Sequence, residues 1–324
     1  MFFGFPTTWI AHDLLAMALY SLCVVHATRH PEATQRTLML LGFTLFAAMF
    51  ENIGVGAGRY FYDPRRLALV GAVPLGVLIL ESVIFYAAMT LLDHLRVPAW
   101  AKPFAAGMLM TLQDLSIDPT AVNDRYATAT GGSGGGQWTW IQHYADTYFG
   151  IPYANFSGWF HFTFAFVVAF QVVCFVLRRA GLAERMVANA ALPFLAAIGG
   201  VFIILTPFTV FMIDLSPLLP PSTHGAELAM LATNLALGTA ILLATARPAP
   251  LDWARDGAIV VAAPMLLHGY DIAVAFARGL SIAYLPAIVV PVIHAGLLVV
   301  LLRRGARGAD ARANGPIGAA SPEI

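Results

Sequence analysis

Nine stretches of this chain are apolar for long enough to cross a lipid bilayer, and that property decides most of what it can fold into. A hydrocarbon core of roughly 30 Å takes about 20 apolar residues per helix. Such runs fall at about 7–28, 37–58, 67–92, 103–118, 156–177, 187–212, 224–246, 256–277 and 281–302. The expected fold is all-α, a polytopic membrane helical bundle of about nine transmembrane helices, or eight if the short fourth run does not span. Only 11% of the 324 residues are charged, against about 25% in soluble domains, which excludes an ordinary soluble enzyme. Eighteen acids balance eighteen bases, so the chain carries no electrostatic footprint for nucleic acid.

A single membrane domain is expected to occupy residues 1–304. One connector has content, the loop 119–154 with its TGGSGGGQWTW segment, which is too polar to span and unusually long. From residue 305 the sequence is small, polar and aperiodic, so a disordered tail is expected. The N-terminal MFFGFPTTWIAHD lacks a basic n-region and a small-residue cleavage site, so its apolar run reads as a retained span. Cys23 and Cys174 lie far apart in apolar runs without CxxC spacing and read as packing residues.

Cytoplasmic loops are enriched in Lys and Arg. With the N-terminus outside and nine spans, thirteen bases fall on the inner loops and tail, and five (Arg59, Arg65, Arg66, Arg125, Arg278) fall outside. The expectation is a multi-pass cell-membrane protein with an outer N-terminus and a cytoplasmic C-terminus. The outer cluster Arg59, Arg65 and Arg66 runs against the bias and could instead serve a site.

A carboxylate at the centre of a span costs about 2.5–3.5 kcal/mol on insertion scales, so such residues face a bundle interior and act there. Glu51 and Asn52 lie deep in the second run, Glu81 in the third, Asp114 and Asp118 in the fourth, and Asp271 after His268 in the eighth. Asp114 and Asp118 are four apart and share a helix face. Two like charges that close cannot both ionise cheaply, so one of the pair keeps a proton and is a candidate general acid. Simpler readings stand beside these. Asp118 precedes Pro119 and could end a helix; Glu51 could pair with Arg59; Glu227, after Ser222 and Thr223, suits a helix dipole. His12, Asp13 and Asp214 lie near span ends or in a connector and are discounted.

Among nine histidines only His26 and His30 have helical i, i+4 spacing, while His94, His143, His161, His224, His268 and His294 are scattered, so no metal is assigned. No dinucleotide loop, P-loop, GxSxG or HExxH is present, and no cofactor is expected. Gly54 and Gly58 form a GxxxG, most often a packing seam.

The densest cluster of unusual residues runs from Gln113 to Trp159: QDLSIDP, then QWTW, then YFGIPYANFSGWF. Its carboxylates, Trp138, Trp140, Tyr148, Asn155 and Trp159 have the composition of a pocket wall, since aromatic faces stack on polyenes and stabilise cations; an interfacial aromatic belt is the alternative. Together with Glu51, GAGRYFYD at 56–63, VPLG at 73–76 and Glu81, the pattern resembles the integral-membrane carotenoid biosynthesis proteins that include γ-carotene hydratase and bisanhydrobacterioruberin hydratase. The likeness is densest over residues 50–175.

That resemblance implies addition of water across the terminal 1,2 double bond of an acyclic carotenoid end group, giving a tertiary alcohol without a cofactor. The substrate would be dissolved in the lipid bilayer, with other carotenoid enzymes as partners to look for. The residues suit this independently, because protonating an isolated alkene needs an acid that keeps its proton in an apolar site, then a pocket for a tertiary cation, then a held water. The candidate catalytic residues are Asp114 and Asp118 as acid and water-positioning base, with Glu51 in support. Candidate substrate-binding residues are Tyr60, Glu81, Trp138, Trp140, Asn155, Trp159 and Asp271. Another polyisoprenoid-modifying enzyme, or a proton-coupled transporter, remains open at this point.

Overall fold

The computed structural model describes residues 6–126, 134–141, 147–183, 185–213, 225–247 and 250–313. His143, Asp214, Ser222, Thr223, His224 and part of the glycine-rich insert lie outside them. Ten α-helices are found among the described residues: α1 (Thr7–Arg29), α2 (Ala33–Gly56), α3 (Leu75–His94), α4 (Lys102–Asn123), α5 (Tyr153–Arg179), α6 (Met186–Ile204), the short α7 (Pro207–Ile213), α8 (Gly225–Thr245), α9 (Ala263–Ala277) and α10 (Tyr284–Ala313). A single π turn, Ala258–Ala262, leads into α9. Eight of these segments are long and apolar enough to cross a membrane, and α4, at 22 residues, is of spanning length without being among them. The fold is a polytopic membrane helical bundle.

Contacts between helix ends show the chain alternating between two faces of the bundle. On the N-terminal face, Tyr270 of α9 donates its hydroxyl to the Thr8 carbonyl (2.6 Å), and Arg278 Nε donates to Asp124 just past α4 (2.9 Å). On the opposite face, the Arg247 amide donates to the Leu95 carbonyl (2.7 Å), and His26 Nε2 lies 3.1 Å from Asp256. The tail that was expected to be disordered from residue 305 begins inside α10, which runs on to Ala313, and residues 314–324 lie outside the described ones.

At the centre lies α3, whose apolar window is 94% buried inside the protein. Phe43 of α2 stacks on Phe85 of α3 with ring centroids 3.9 Å apart, and Phe166 of α5 packs edge-on against Phe85 at 5.3 Å. Burying large aromatic side chains against each other supplies the dispersion that lipid-facing surfaces cannot.

Six short strands decorate the N-terminal face. β1 (Tyr60–Tyr62) pairs antiparallel with β4 (Trp138–Trp140), Tyr60 opposite Trp140 and Tyr62 opposite Trp138. β2 (Leu69–Val70) and β3 (Val73–Pro74) form one hairpin, and β5 (Thr147–Tyr148) and β6 (Ile151–Pro152) another. Both hairpins turn on two residues, with a left-handed backbone at one of them in the first and at both in the second. Gly71 has φ +64°, and Phe149 and Gly150 have φ +52° and +93°, the pattern of a two-residue turn that matches strand twist. Each hairpin ends in a proline, Pro74 or Pro152, that opens a helix, α3 or α5. Its fixed φ and missing N–H cost nothing where a helix begins. The third apolar run therefore does not span from residue 67: its first eight residues are this hairpin.

The end of α4 also departs from expectation. Pro119 lies inside the helix, which continues to Asn123, so Asp118 does not end it. In the last turn beyond it, Asn123 Nδ2 donates to the Pro119 carbonyl (2.7 Å) and the Gln137 amide donates to the Ala121 carbonyl (3.0 Å), serving carbonyls that a helix end leaves without intrahelical donors. The latter bond seats the incoming β4 strand on the helix end. Gly136 must be glycine there, because a Cβ would collide with the Val122 backbone. The loop foreseen at 119–154 thus starts after residue 123 and carries three strands.

Candidate functional site

The two carboxylates of α4 meet on one nitrogen. Asn155 Nδ2, at the start of α5, donates to Asp118 (2.6 Å) and Asp114 (3.1 Å), so the two carboxyl groups share one donor. Two carboxyl groups held on one donor cannot both ionise cheaply. Both residues are buried.

Above the pair, α2 and β1 hold Glu51. The hydroxyls of Tyr60 and Tyr62 donate to its Oε2 at 2.7 and 2.6 Å. Residues i and i+2 of a strand face the same way, so β1 turns both tyrosines inward and β4 opposes them with Trp140 and Trp138. Tyr60 packs edge-on to Trp140 at 5.0 Å and Tyr62 to Trp138 at 5.8 Å. Burial first, and then the neighbouring Glu51 carboxylate, push both phenols well above their usual range, so they stay protonated donors. The GxxxG glycine Gly54 has a local purpose here, since a Cβ would sit 2.5 Å from the Tyr60 hydroxyl.

These groups, with Glu81 of α3 and Trp159 of α5, enclose a cavity of about 40 Å³. A buried water needs roughly 10–15 Å³ and two to four polar partners. Glu81 Oε2, Asp114 Oδ1, Trp140 Nε1 and His12 Nε2 line this space without a protein partner among the described residues. A second cavity of about 240 Å³ adjoins the first, sharing Glu51, Tyr60, Glu81, Trp140, Asn155 and Trp159 as walls, and is otherwise lined mainly by apolar side chains of α2, α5, α6 and α7.

Nine of the ten sequence-derived site residues therefore surround one space. Asp271 does not. It accepts from Ser116 Oγ (3.2 Å), on a different face of α4 from the acid pair. Ser116 Oγ also lies 2.8 Å from His268 Nδ1, and His268 Nε2 lies 3.0 Å from His294. Histidines scattered in sequence are thus neighbours in space. No group of three or more His, Cys, Asp or Glu side chains among the described residues is placed to hold a metal ion.

Three residues passed over in the sequence matter locally. Tyr62 is the second donor to Glu51, and its alternation with Tyr60 in YFY was the available signal. His12 lines the cavity, and Asp13 forms an ion pair with Arg66 that is almost wholly buried. Arg66 also donates to Gln137 (3.0 Å) and contacts His12 Nδ1 (3.0 Å). Local spacing could not reveal these contacts, since Arg66 lies 53 residues from Asp13 and 54 from His12. Gly76 of VPLG leaves room for the Asp13 carboxylate. Asn52 ties α2 to the first hairpin, donating to the Val70 carbonyl (3.0 Å) and accepting from the Ala72 amide (2.9 Å).

Helices of spanning length around a buried cluster of carboxyl groups define a multi-pass membrane protein with a polar chamber near one face. The sequence profile of the carotenoid biosynthesis protein family matches residues 8–219, about two-thirds of the chain, and the chain belongs to that family. The matched region contains every wall of the smaller cavity. No curated protein and no solved structure matches the chain.

Proposed function

We propose that the chain is a carotenoid hydratase that adds water across the terminal 1,2 double bond of an acyclic end group. The observation that carries the reading is the Asp114–Asp118 pair, held on the single Asn155 donor in a water-sized chamber that adjoins a mainly apolar cavity. The carboxyl proton of the pair passes to C2 of the alkene, leaving a tertiary cation at C1. A water held at Glu81, Asp114 and Trp140 attacks C1, and its released proton returns to the pair, so the acid is regenerated. The faces of Trp138, Trp140 and Trp159 flank the cation, while the tyrosines keep Glu51 aimed at the chamber. The amide nitrogen of Asn155 is engaged with the two carboxyl groups, so its role is to hold the acid.

The basic-residue bias supports a chamber on the outer side of the cell membrane and a cytoplasmic C-terminus. The decisive experiment is expression in cells that accumulate an open-chain carotenoid, with mass analysis of the pigments. A gain of one water supports the reading, and its absence with verified membrane expression refutes it.

A further inference from the structure

The larger cavity is not needed to hold water, and its shape says what it holds. Ile53 of α2 and Leu205, just past α6, stand at its wall and are 39% and 48% exposed. Phe208 beside them is 72% exposed. These exposed apolar side chains lie at the ends of the spanning-length α2 and α6 and on the short α7, a rim whose chemistry suits lipid. Its inner end is the carboxylate chamber. Its volume of about 240 Å³ falls below the roughly 300–1,000 Å³ that encloses a drug-sized ligand, far too little for a whole carotenoid. We propose that this cavity admits one open-chain isoprenoid end sideways from the bilayer, while the rest of the molecule stays in lipid, so that the protein reads only the end it modifies. The choice of an open-chain end rests on the hydratase reading; the sideways path rests on the cavity alone.

One consequence is specific. A carotenoid with one open and one ring-closed end should occupy the cavity as well as one open at both ends, and a carotenoid ring-closed at both ends should not.

Photo-crosslinking in membranes tests this with the full chain. In a Cys174→Ser background, Leu205→Cys places a thiol-linked diazirine at the cavity mouth. Phe202→Cys places it on the same lipid-exposed helix surface but off the cavity wall. With an open-chain carotenoid in the membrane, the carotenoid adduct at position 205 should exceed that at 202 severalfold, and equal yields overturn the proposal. Gly158→Leu narrows the cavity and should lower the adduct at position 205 roughly tenfold; an unchanged adduct overturns the proposal. A doubly ring-closed carotenoid labelling position 205 as strongly would overturn the reading of ends. The same measurement on Asp118→Asn separates the two claims, because an adduct retained there supports the cavity whether or not the wild type hydrates.

Discussion

Tyr62 donates its hydroxyl to Glu51 across 2.6 Å, and this bond joins a surface strand to a carboxylate near the end of a spanning helix. A hydrogen bond to a charged acceptor contributes about 1.5–3 kcal/mol. Tyr62→Phe should therefore lower the hydration rate roughly tenfold or more with little change in membrane expression. An unchanged rate would remove the β1 tyrosines from the mechanism.

Asp118→Asn and Asp114→Asn should each abolish most hydration while the protein still reaches the membrane. An amide keeps the shape of the carboxyl group and its contact with Asn155 but cannot deliver a proton to carbon. In the wild type, rate should fall on the alkaline side of the profile as the shared proton is removed. Product yields from both variants equal to wild type would exclude the pair.

Label should come from water. Product formed in heavy-oxygen water should carry the heavy isotope in the new hydroxyl, because the proposed attack is by the water held in the chamber. Heavy oxygen arriving from dioxygen gas instead would refute hydration.

Arg66→Met should destabilise the protein by about 3–5 kcal/mol, the usual cost of leaving one partner of a buried ion pair alone. The Arg66 side chain is 0% exposed and that of Asp13 only 3%, so neither charge has water to fall back on. Thermal unfolding in detergent reads the loss, and adding Asp13→Asn should recover part of it.

Asp256, outside the spanning segments, gives a pH signature. Burial acts to raise its carboxyl, but hydrogen bonds to Arg255 and His26 outweigh it and hold the group at about 2, below an unfolded value of about 3.9. A depressed carboxyl stabilises the fold above the unfolded value, and the contribution disappears as pH falls through the folded one. The Tm difference between wild type and Asp256→Asn should be full near pH 5 and shrink toward pH 2. A difference that grows on acidification would contradict the pairing.

Much of this was legible in the amino-acid string because lipid imposes a simple rule. Apolar length located the long helices, and expensive polar residues inside them marked the chamber walls. Local rules failed where distant partners decide. Residues 67–74 are apolar enough to continue a helix, yet Gly71 and Asn52 fold them into a hairpin. Pro119 reads as a stop, yet the helix runs on to Asn123 and the returning strand bonds to its last turn. Asp271 has the same signal as Asp114, a carboxylate in an apolar run, and only the rotation of α4 relative to α9 shows that it bonds Ser116 away from the chamber.

Eighteen of the 22 residues of α4 are buried, and that enclosure bears on how the protein is made. Its two aspartates, Gln113 and Pro119 make it a poor solitary passenger into lipid, and it is not among the segments that qualify by apolarity. Its acids gain their shared donor only when Asn155 arrives on α5. Biogenesis should therefore pause with α4 sheltered beside α3 until α5 follows, and nascent chains cut before residue 155 should leave α4 extractable from the membrane.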